Sequence, residues 1–392
     1  MKKILMAALG TAICAGLVFS QELKLSGEAK TGILWEESQD EGKPKDPSKS
    51  RVRMNSKDDA GSEAGRFRLN MDYDNGKNIG FRARLQWETF SDATVKWVYA
   101  FGYGNFFNNQ LTLSAGKLGA SPWGTGGPEM WKELEVSREG GMRLEYKPSF
   151  IPEEYGKLNI GFVLNYFDDP DEASITRQAT LLDILQETIF GISYTHDAFL
   201  FRFAYRLDSE RDSKQRMDGK REGDKFLYRI EERAIGNVLP GFQIWALGYL
   251  VGVGASEDQF YDFQNWLFTE YSPPNIGGWV TPLTAQIRFG YDYVESRQIF
   301  HVRPSLYFHF FNKLISLGAM YKYGQDFGNK IFAGSPYLYM EIEPKIQFNF
   351  SNSYIAFAYN LRKEYIGYYE DARGADPIRQ TQWMNLRFGI YF

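Results

Sequence analysis

From Leu23 onward, apolar and polar residues change places at every second position. In Leu23 to Trp35 the odd positions read Leu, Leu, Gly, Ala, Thr, Ile, Trp, with Lys24, Ser26, Glu28 and Lys30 between them. Phe67, Leu69, Met71 and Tyr73 alternate with Arg68, Asn70 and Asp72. After the turn Asp74-Asn75-Gly76-Lys77-Asn78, Phe81, Ala83, Leu85 and Trp87 alternate with Arg82, Arg84, Gln86 and Glu88. A period of two is the mark of strands with one apolar and one polar face. Similar runs lie near 94–104, 110–118, 141–147, 158–167, 188–195, 199–207, 225–235, 242–253, 281–293, 299–309, 314–324, 336–350, 354–362 and 379–392. The only segment with a helical pattern, Ala173 to Thr188, predicts a short helix inside a loop.

The connections alternate in length. Short ones carry turn residues: Asn75-Gly76, Asn108-Asn109, His196-Asp197, Asn312-Lys313 and Ser351-Asn352-Ser353. Long ones are polar and charged: 37–65, 119–140, 168–187, 208–224, 254–280, 325–335 and 363–378. Tight turns on one rim and long loops on the other are the plan of a transmembrane barrel, with short periplasmic turns and long extracellular loops. The expected fold is therefore all-β, a single closed antiparallel transmembrane β-barrel. Both termini belong on the turn side, so the strand number is even. The clear runs number about seventeen; Gln259 to Tyr271 supplies the missing strand, with Pro273 to Gly278 as its turn, giving about 18 strands, with 16 as the alternative.

Composition fits this plan. Aromatic residues make up 17% of the 392 residues while mean hydropathy is negative, as expected when only one face of each strand meets lipid. Lys2 and Lys3 precede the apolar run Ile4 to Phe19, which reads as a secretory signal peptide cut after Ser20, with residues 21–392 as the one barrel domain. The single cysteine, Cys14, lies inside that segment behind Ile13, where a lipoprotein signal wants a small residue. The mature chain would then hold neither a disulfide nor a thiolate metal site.

The polar faces carry the candidate chemistry. Arg66, Arg68, Arg82, Arg84, Arg143, Arg202, Arg206, Arg229, Arg288, Arg303, Arg362 and Arg387 fall on them, and so do Asp72, Glu88, Glu145, Glu231, Asp292, Glu341 and Glu343. The basic set is the larger, although the whole chain has a net charge of −4, because acidic residues concentrate in loops such as Asp168 to Glu172. Such a wall has two readings: arginines that select anions, or arginines that pair with wall carboxylates for stability. Aromatics near strand ends (Trp35, Trp87, Tyr103, Phe106, Phe107, Phe150, Phe310, Phe311 and Phe350) are expected in interfacial girdles. His301 and His309 share a face but lie about 26 Å apart along a strand, too far to bind one metal. No nucleophile elbow, zinc motif or phosphate loop occurs, so the reading is not an enzyme and has no cofactor and no metal.

In its signal peptide, its alternation from end to end and its terminal Phe392, the chain resembles bacterial outer-membrane porins. That resemblance implies a water-filled channel in the bacterial outer membrane for passive diffusion of small hydrophilic solutes. It also implies that the third external loop, following the fifth strand, folds inward. Here Leu111-Thr-Leu-Ser-Ala-Gly-Lys117-Leu-Gly leads into the loop 119–140, whose Glu129, Glu133 and Glu135 would face Arg66, Arg68, Arg82 and Arg84. Arg202, Arg206, Arg288 and Arg303 would line the remaining wall. Phe388, Ile390 and Phe392 would be read by the barrel-assembly machinery. The expected partners are the lipid bilayer with its outer-leaflet lipid, that machinery and small solutes, without nucleic acid; a homotrimer and a monomer both stay open. The alternative is a barrel scaffold, without a conducting pore, whose surface loops bind an envelope or host partner.

Overall fold

A computed structural model describes residues 23–40, 50–54, 66–76, 78–88, 94–118, 123, 141–165, 188–206, 224–253, 262–294, 297–328, 336–366 and 378–392. The segment expected to be a signal peptide, the acidic stretch 168–172 and all but the last residue of the segment expected to be a helix, 173–188, lie outside these.

In chain order the strands are β1 (Leu23–Asp40), β2 (Ser50–Met54), β3 (Arg66–Asp74), β4 (Ile79–Glu88), β5 (Thr94–Phe106), β6 (Leu111–Lys117) and β7 (Gly141–Tyr146). There follow β8 (Lys157–Asn165), β9 (Ile189–Thr195), β10 (Phe199–Arg206), β11 (Asp224–Glu232), β12 (Phe242–Val253) and β13 (Asp262–Tyr271). A two-residue hairpin, β14 (Asn275–Ile276) and β15 (Trp279–Val280), precedes β16 (Leu283–Val294) and β17 (Arg297–Phe310). The last four are β18 (Ile315–Asp326), β19 (Pro336–Phe350), β20 (Ser353–Ile366) and β21 (Ile378–Tyr391).

All but β14 and β15 form one sheet of 19 strands in which each pairing is antiparallel. β2 and β3 lie end to end on the same side of β1, where Met54 faces Ile33 and Arg66 faces Lys30. They are one stave of the wall, so the staves number 18. The strand expected within 259–271 is β13, and β6 is the fifth stave.

β1 closes the wall on β21, in register from Glu28 opposite Tyr391 to Asp40 opposite Arg379. This leaves no sheet edge there, and a wall in hydrocarbon cannot afford one. At the seam Gly27 donates to the Phe392 carbonyl at 2.7 Å and accepts from its N–H at 3.1 Å. The Phe392 ring lies over Gly27 and against Phe67, with ring centroids 5.9 Å apart. A Cβ at position 27 would come within 2.5 Å of that ring. Only glycine leaves room for the terminal ring, so the aromatic end of the chain is part of the closure.

The alternation sorts the two faces. On β21, Met384, Phe388 and Ile390 are exposed on the outside, while Asn385 and Arg387 are buried on the inside. The expected turns occur. Phe107-Asn108-Asn109 and Phe311-Asn312-Lys313 each run through three successive positive-φ residues, from 52° to 68°, a conformation that asparagine tolerates better than most. Two sequence expectations need correction. The rim asymmetry is incomplete, because 89–93 and 295–296 are short connections on the loop side. The turn side, for its part, holds a 3-10 turn at Glu153–Tyr155 and a helical turn at Ala234–Val238. The expected loops 37–65 and 363–378 also begin too early: β1 runs on to Asp40 and β20 to Ile366. Towards that rim both faces are polar, as in Glu36-Glu37-Ser38-Gln39, so the hydrophobic alternation fades while the hydrogen-bond ladder continues.

Candidate functional site

The register carries one inward-facing row of side chains around the barrel, and its chemistry changes from sector to sector. On β3 and β4, Arg66, Arg68, Arg82 and Arg84 share the inward face. Arg66 and Arg68 both reach Glu28 of β1, at 2.6 and 3.2 Å, and Lys30 stands 3.4 Å from the same carboxylate. Arg68 also donates to Gln86. Arg82 pairs with Asp72 at 3.3 Å, and Arg84 donates to Asn70 at 2.7 Å. Below this row, Lys24, Ser26, Asn70, Asp72, Arg82 and Tyr99 line a recess of about 500 Å³.

Rings hold these arginines. Arg82 lies over Tyr103 at 5.3 Å and Arg84 over Tyr99 at 5.1 Å, while from the other side Arg143 lies over Phe101 at 5.4 Å. All three rings belong to β5. Arg143 also pairs with Glu145 at 2.8 Å. Tyr103 is therefore a lumenal residue that donates to Asp74 at 3.2 Å, which corrects its assignment to a lipid-facing girdle. The reason is local. Past a bulge at Val98, the outward positions of β5 from Tyr99 to Gly104 are Ala100, Gly102 and Gly104, so there rings face the water and small residues face out, the inverse of the usual pattern. Trp87, Phe106, Phe107, Phe150, Phe311 and Phe350 are exposed, as girdle residues would be.

The same arrangement recurs on β16 to β20. Arg288 lies over Phe268 at 5.6 Å, Arg303 over Trp266 at 4.7 Å and Arg362 over Tyr339 at 4.5 Å. A ring beneath a guanidinium fixes its plane and is attracted to its charge. Several rings lie flat because the next strand offers glycine: Tyr103 on Gly80, Trp266 on Gly290, Tyr339 on Gly324 and Tyr354 on Gly389. Flat rings thicken the wall without filling the lumen. Carboxylates here have partners of their own: Glu341 takes Lys322 at 2.7 Å and Asn360 at 3.0 Å, and Glu364 pairs with Arg362. His301 bonds Asp292 at 2.9 Å and Tyr339 at 3.0 Å. His309 instead bonds Thr284 at 3.0 Å and Ser316 at 2.8 Å, so the two histidines serve separate networks.

Between these basic sectors the wall turns apolar. On β8 to β13 the inward residues Val163, Ile189, Ala204, Leu227, Leu247, Tyr249, Trp266 and Phe268 form one buried cluster with Phe101, Leu118 and Trp123. Trp123 is the one described residue of the loop 119–140. It is fully buried, and its indole occupies the space beside Gly191 of β9, where a Cβ would meet ring carbon at 1.9 Å. Within this sector Arg202 and Arg206 also face inward, on β10 on either side of Ala204. Arg202 stands directly opposite Arg229, whose guanidinium shares Glu231 with Arg233, at 3.0 and 2.9 Å. Glu129, Glu133 and Glu135 lie outside the described residues.

The sequence reading missed Glu28 as the hub of the basic cluster, the rings beneath the arginines, and the apolar sector. A register count across the β4–β5 connection points the other way, because a bulge at Val98 shifts the pairing between Leu85 and Arg84 and is what turns Tyr99, Phe101 and Tyr103 inward. Nothing in the pattern marks Trp123.

No protein-family model matches the chain, and no curated protein matches it. Solved structures similar in fold include the anion-selective porin from Comamonas acidovorans, 12% identical over 95% of this chain and 100% of that one, TM-score 0.48. A mutant of the Rh. blastica porin is 10% identical over 95% and 100%, TM-score 0.46. The outer membrane channel DcaP of Acinetobacter baumannii is 10% identical over 95% and 97%, TM-score 0.45. This chain's own wall, closed with 18 staves and apolar outside, is that of a transmembrane β-barrel.

Proposed function

We propose that this chain is a bacterial outer-membrane porin: a water-filled channel for small hydrophilic solutes that prefers anions and is narrowed by the loop 119–140. One observation carries the reading. The inward face of a closed wall bears arginines on β3, β4, β7, β10, β11, β16, β17, β20 and β21, many held flat on rings, so fixed positive charge borders the lumen without blocking it. Charge lining a low-dielectric channel raises the local concentration of counter-ions, which here are anions. The buried indole of Trp123 beside Gly191 supports the inward course of the loop. The acidic faces of Glu129, Glu133 and Glu135 opposite Arg66, Arg68, Arg82 and Arg84 belong to this proposal, and so does reading of Phe388, Ile390 and Phe392 by the assembly machinery.

The test is electrical. Purified, heat-modifiable protein in a planar bilayer should give stable conductance steps, and a KCl gradient should give a reversal potential of the sign set by chloride. Folded protein that gives no steps would sink the channel. A second reading, a plugged scaffold acting through its surface loops, draws on the apolar sector, because an apolar lumenal wall sealed by Trp123 is unlike a wet pore. That reading predicts silent bilayers.

A further inference from the structure

We propose that the recess at the turn-side end of β1, β3, β4 and β5 is a binding site for small zwitterionic amino acids, with the carboxylate held by Arg82 and the ammonium by Asp72. This rests on the channel reading above and names a solute class for it.

The first observation is an ion pair that stands open to the lumen. Asp72 of β3 is the direct cross-strand partner of Arg82 on one side and of Lys24 on the other. Positive, negative and positive side chains therefore follow one another across three staves. The charged atoms of Arg82 and Asp72 are 3.3 Å apart, and their side chains are 54% and 47% exposed. The lumenal pairs Arg143–Glu145 and Arg362–Glu364, by contrast, are largely buried. An exposed pair holds weakly, so a ligand that offers each half a new partner can open it. Arg82 does not depend on Asp72 alone for its place, because its guanidinium also lies over Tyr103 at 5.3 Å.

The second observation is the space beside the pair. The recess of about 500 Å³ is lined by Lys24, Ser26, Asn70, Asp72, Arg82 and Tyr99, a size within the range of small-molecule sites. Ser26 and Asn70 are cross-strand partners two residues along from Lys24 and Asp72, and they give the recess a neutral hydrogen-bonding side. Tyr99 already carries Arg84 on its ring at 5.1 Å, which makes it a poor platform for a sugar. The charges choose among the remaining solutes. A plain anion drawn to Arg82 and Lys24 meets Asp72 between them, and a plain cation drawn to Asp72 is flanked by both bases. An α-amino acid carries its carboxylate and ammonium on one carbon, side by side as the pair carries its own charges. Laid against the pair in the opposite sense, it brings a carboxylate to the guanidinium fork and an ammonium to the aspartate, and it adds no net charge.

The test measures uptake of labelled L-alanine and labelled lactamide into lipid vesicles carrying the full-length barrel. The two are isomers of similar size and zero net charge, but only alanine is a zwitterion. At low concentration alanine should enter roughly threefold to tenfold faster than lactamide. Its rate should saturate, while that of lactamide rises in proportion to concentration. Asp72→Asn and Arg82→Gln should each bring the ratio of the two rates down to about one. Unlabelled serine should compete with alanine, and lactate, an anion of the same shape as alanine, should compete about threefold less or weaker. Equal and unsaturable rates for the two isomers overturn the site. So does an alanine excess that both variants keep, or one that lactate abolishes as well as serine does. If a variant loses heat-modifiability, the comparison of the two isomers on the native barrel decides alone. Entry of both isomers at one rate defeats only this inference, whereas no entry beyond that of protein-free vesicles defeats the channel itself.

Discussion

The wall from β3 to β7 and the wall from β8 to β13 follow the same alternation, yet their lumenal faces differ in kind. The first presents Arg66, Arg68, Arg82, Arg84 and Arg143, each within reach of a carboxylate, an amide or a ring. The second presents Val163, Ile189, Ala204, Leu227 and Leu247 under a buried tryptophan from a loop, with Arg202, Arg206 and Arg229 beside them on β10 and β11. Water can border the first but gains nothing against the second, so the second needs a cover. Period two alone says which residues face inward. Whether an inward face is wet or packed depends on what reaches it from elsewhere in the chain.

The sharpest way to break the comparison is to remove the cover. Trp123→Ala deletes a fully buried aromatic, a change worth about 3–5 kcal/mol in a packed site, enough to shift the seating of the loop more than a hundredfold. Gly191→Leu attacks the same seat from the wall side, since its side chain would take the indole's place. Both variants should give larger unit conductance than the native barrel, while heat-modifiability on gels shows that the wall is intact. Unchanged conductance in both would mean that the tryptophan fills a crevice and the loop does not narrow the lumen.

The next largest effect belongs to the basic sector. Replacing Arg82 and Arg84 together with glutamine removes two of its fixed charges, and Asp72, the carboxylate paired with Arg82, stays behind. The anion-to-cation permeability ratio should fall by roughly twofold to tenfold at 0.1 M salt. The effect should shrink near 1 M, where the screening length is only about 3 Å. A reversal potential indifferent to both arginines would put the selective charge elsewhere, with Arg288 and Arg303 the next pair to change.

Most of the wall was legible in the sequence because its cause is local. Alternation, turn residues such as Asn108-Asn109 and an even strand count together lead to 18 staves, including β13, where the apolar pattern is weak. The inward direction of every candidate arginine followed from parity alone. The contacts did not, because parity ranks a residue by face and says nothing of its neighbour two strands on. Glu28 serves Arg66 and Arg68 across 38 and 40 residues of sequence, and Arg362 rests on a tyrosine from another strand. Tyr103 was misplaced for a related reason. An aromatic near a strand end reads as a lipid anchor by itself, and only its neighbours Ala100, Gly102 and Gly104 reveal that β5 is turned with its rings to the water.

Glu28 permits a change in the opposite direction. Its carboxylate is shared by Arg66, Arg68 and Lys30, so Glu28→Gln leaves three cations with one negative charge fewer among them. Anion preference should rise, where the Arg82 and Arg84 variant lowers it. The size should be smaller, about twofold or less, because one charge changes and its neighbours remain. Measured beside the arginine variant under the same gradient, a fall in anion preference would show that Glu28 acts by holding Arg66 and Arg68 in place rather than by its charge.

The smallest effect tests the rings. Tyr99 underlies Arg84 at 5.1 Å, and a cation on an exposed aromatic face is worth about 0.5–1 kcal/mol. Tyr99→Leu keeps an apolar side chain and removes the π face, so Arg84 should keep its bond to Asn70 while sampling more orientations. The expected signature is a modest rise in open-channel current noise with little change in reversal potential, and Tyr99→Phe should restore the native trace. If Tyr99→Leu instead moved selectivity as far as the loss of Arg82 and Arg84, the ring would be setting where the charge stands. The basic sector would then depend on its aromatic floor as strongly as the apolar sector depends on its tryptophan cover.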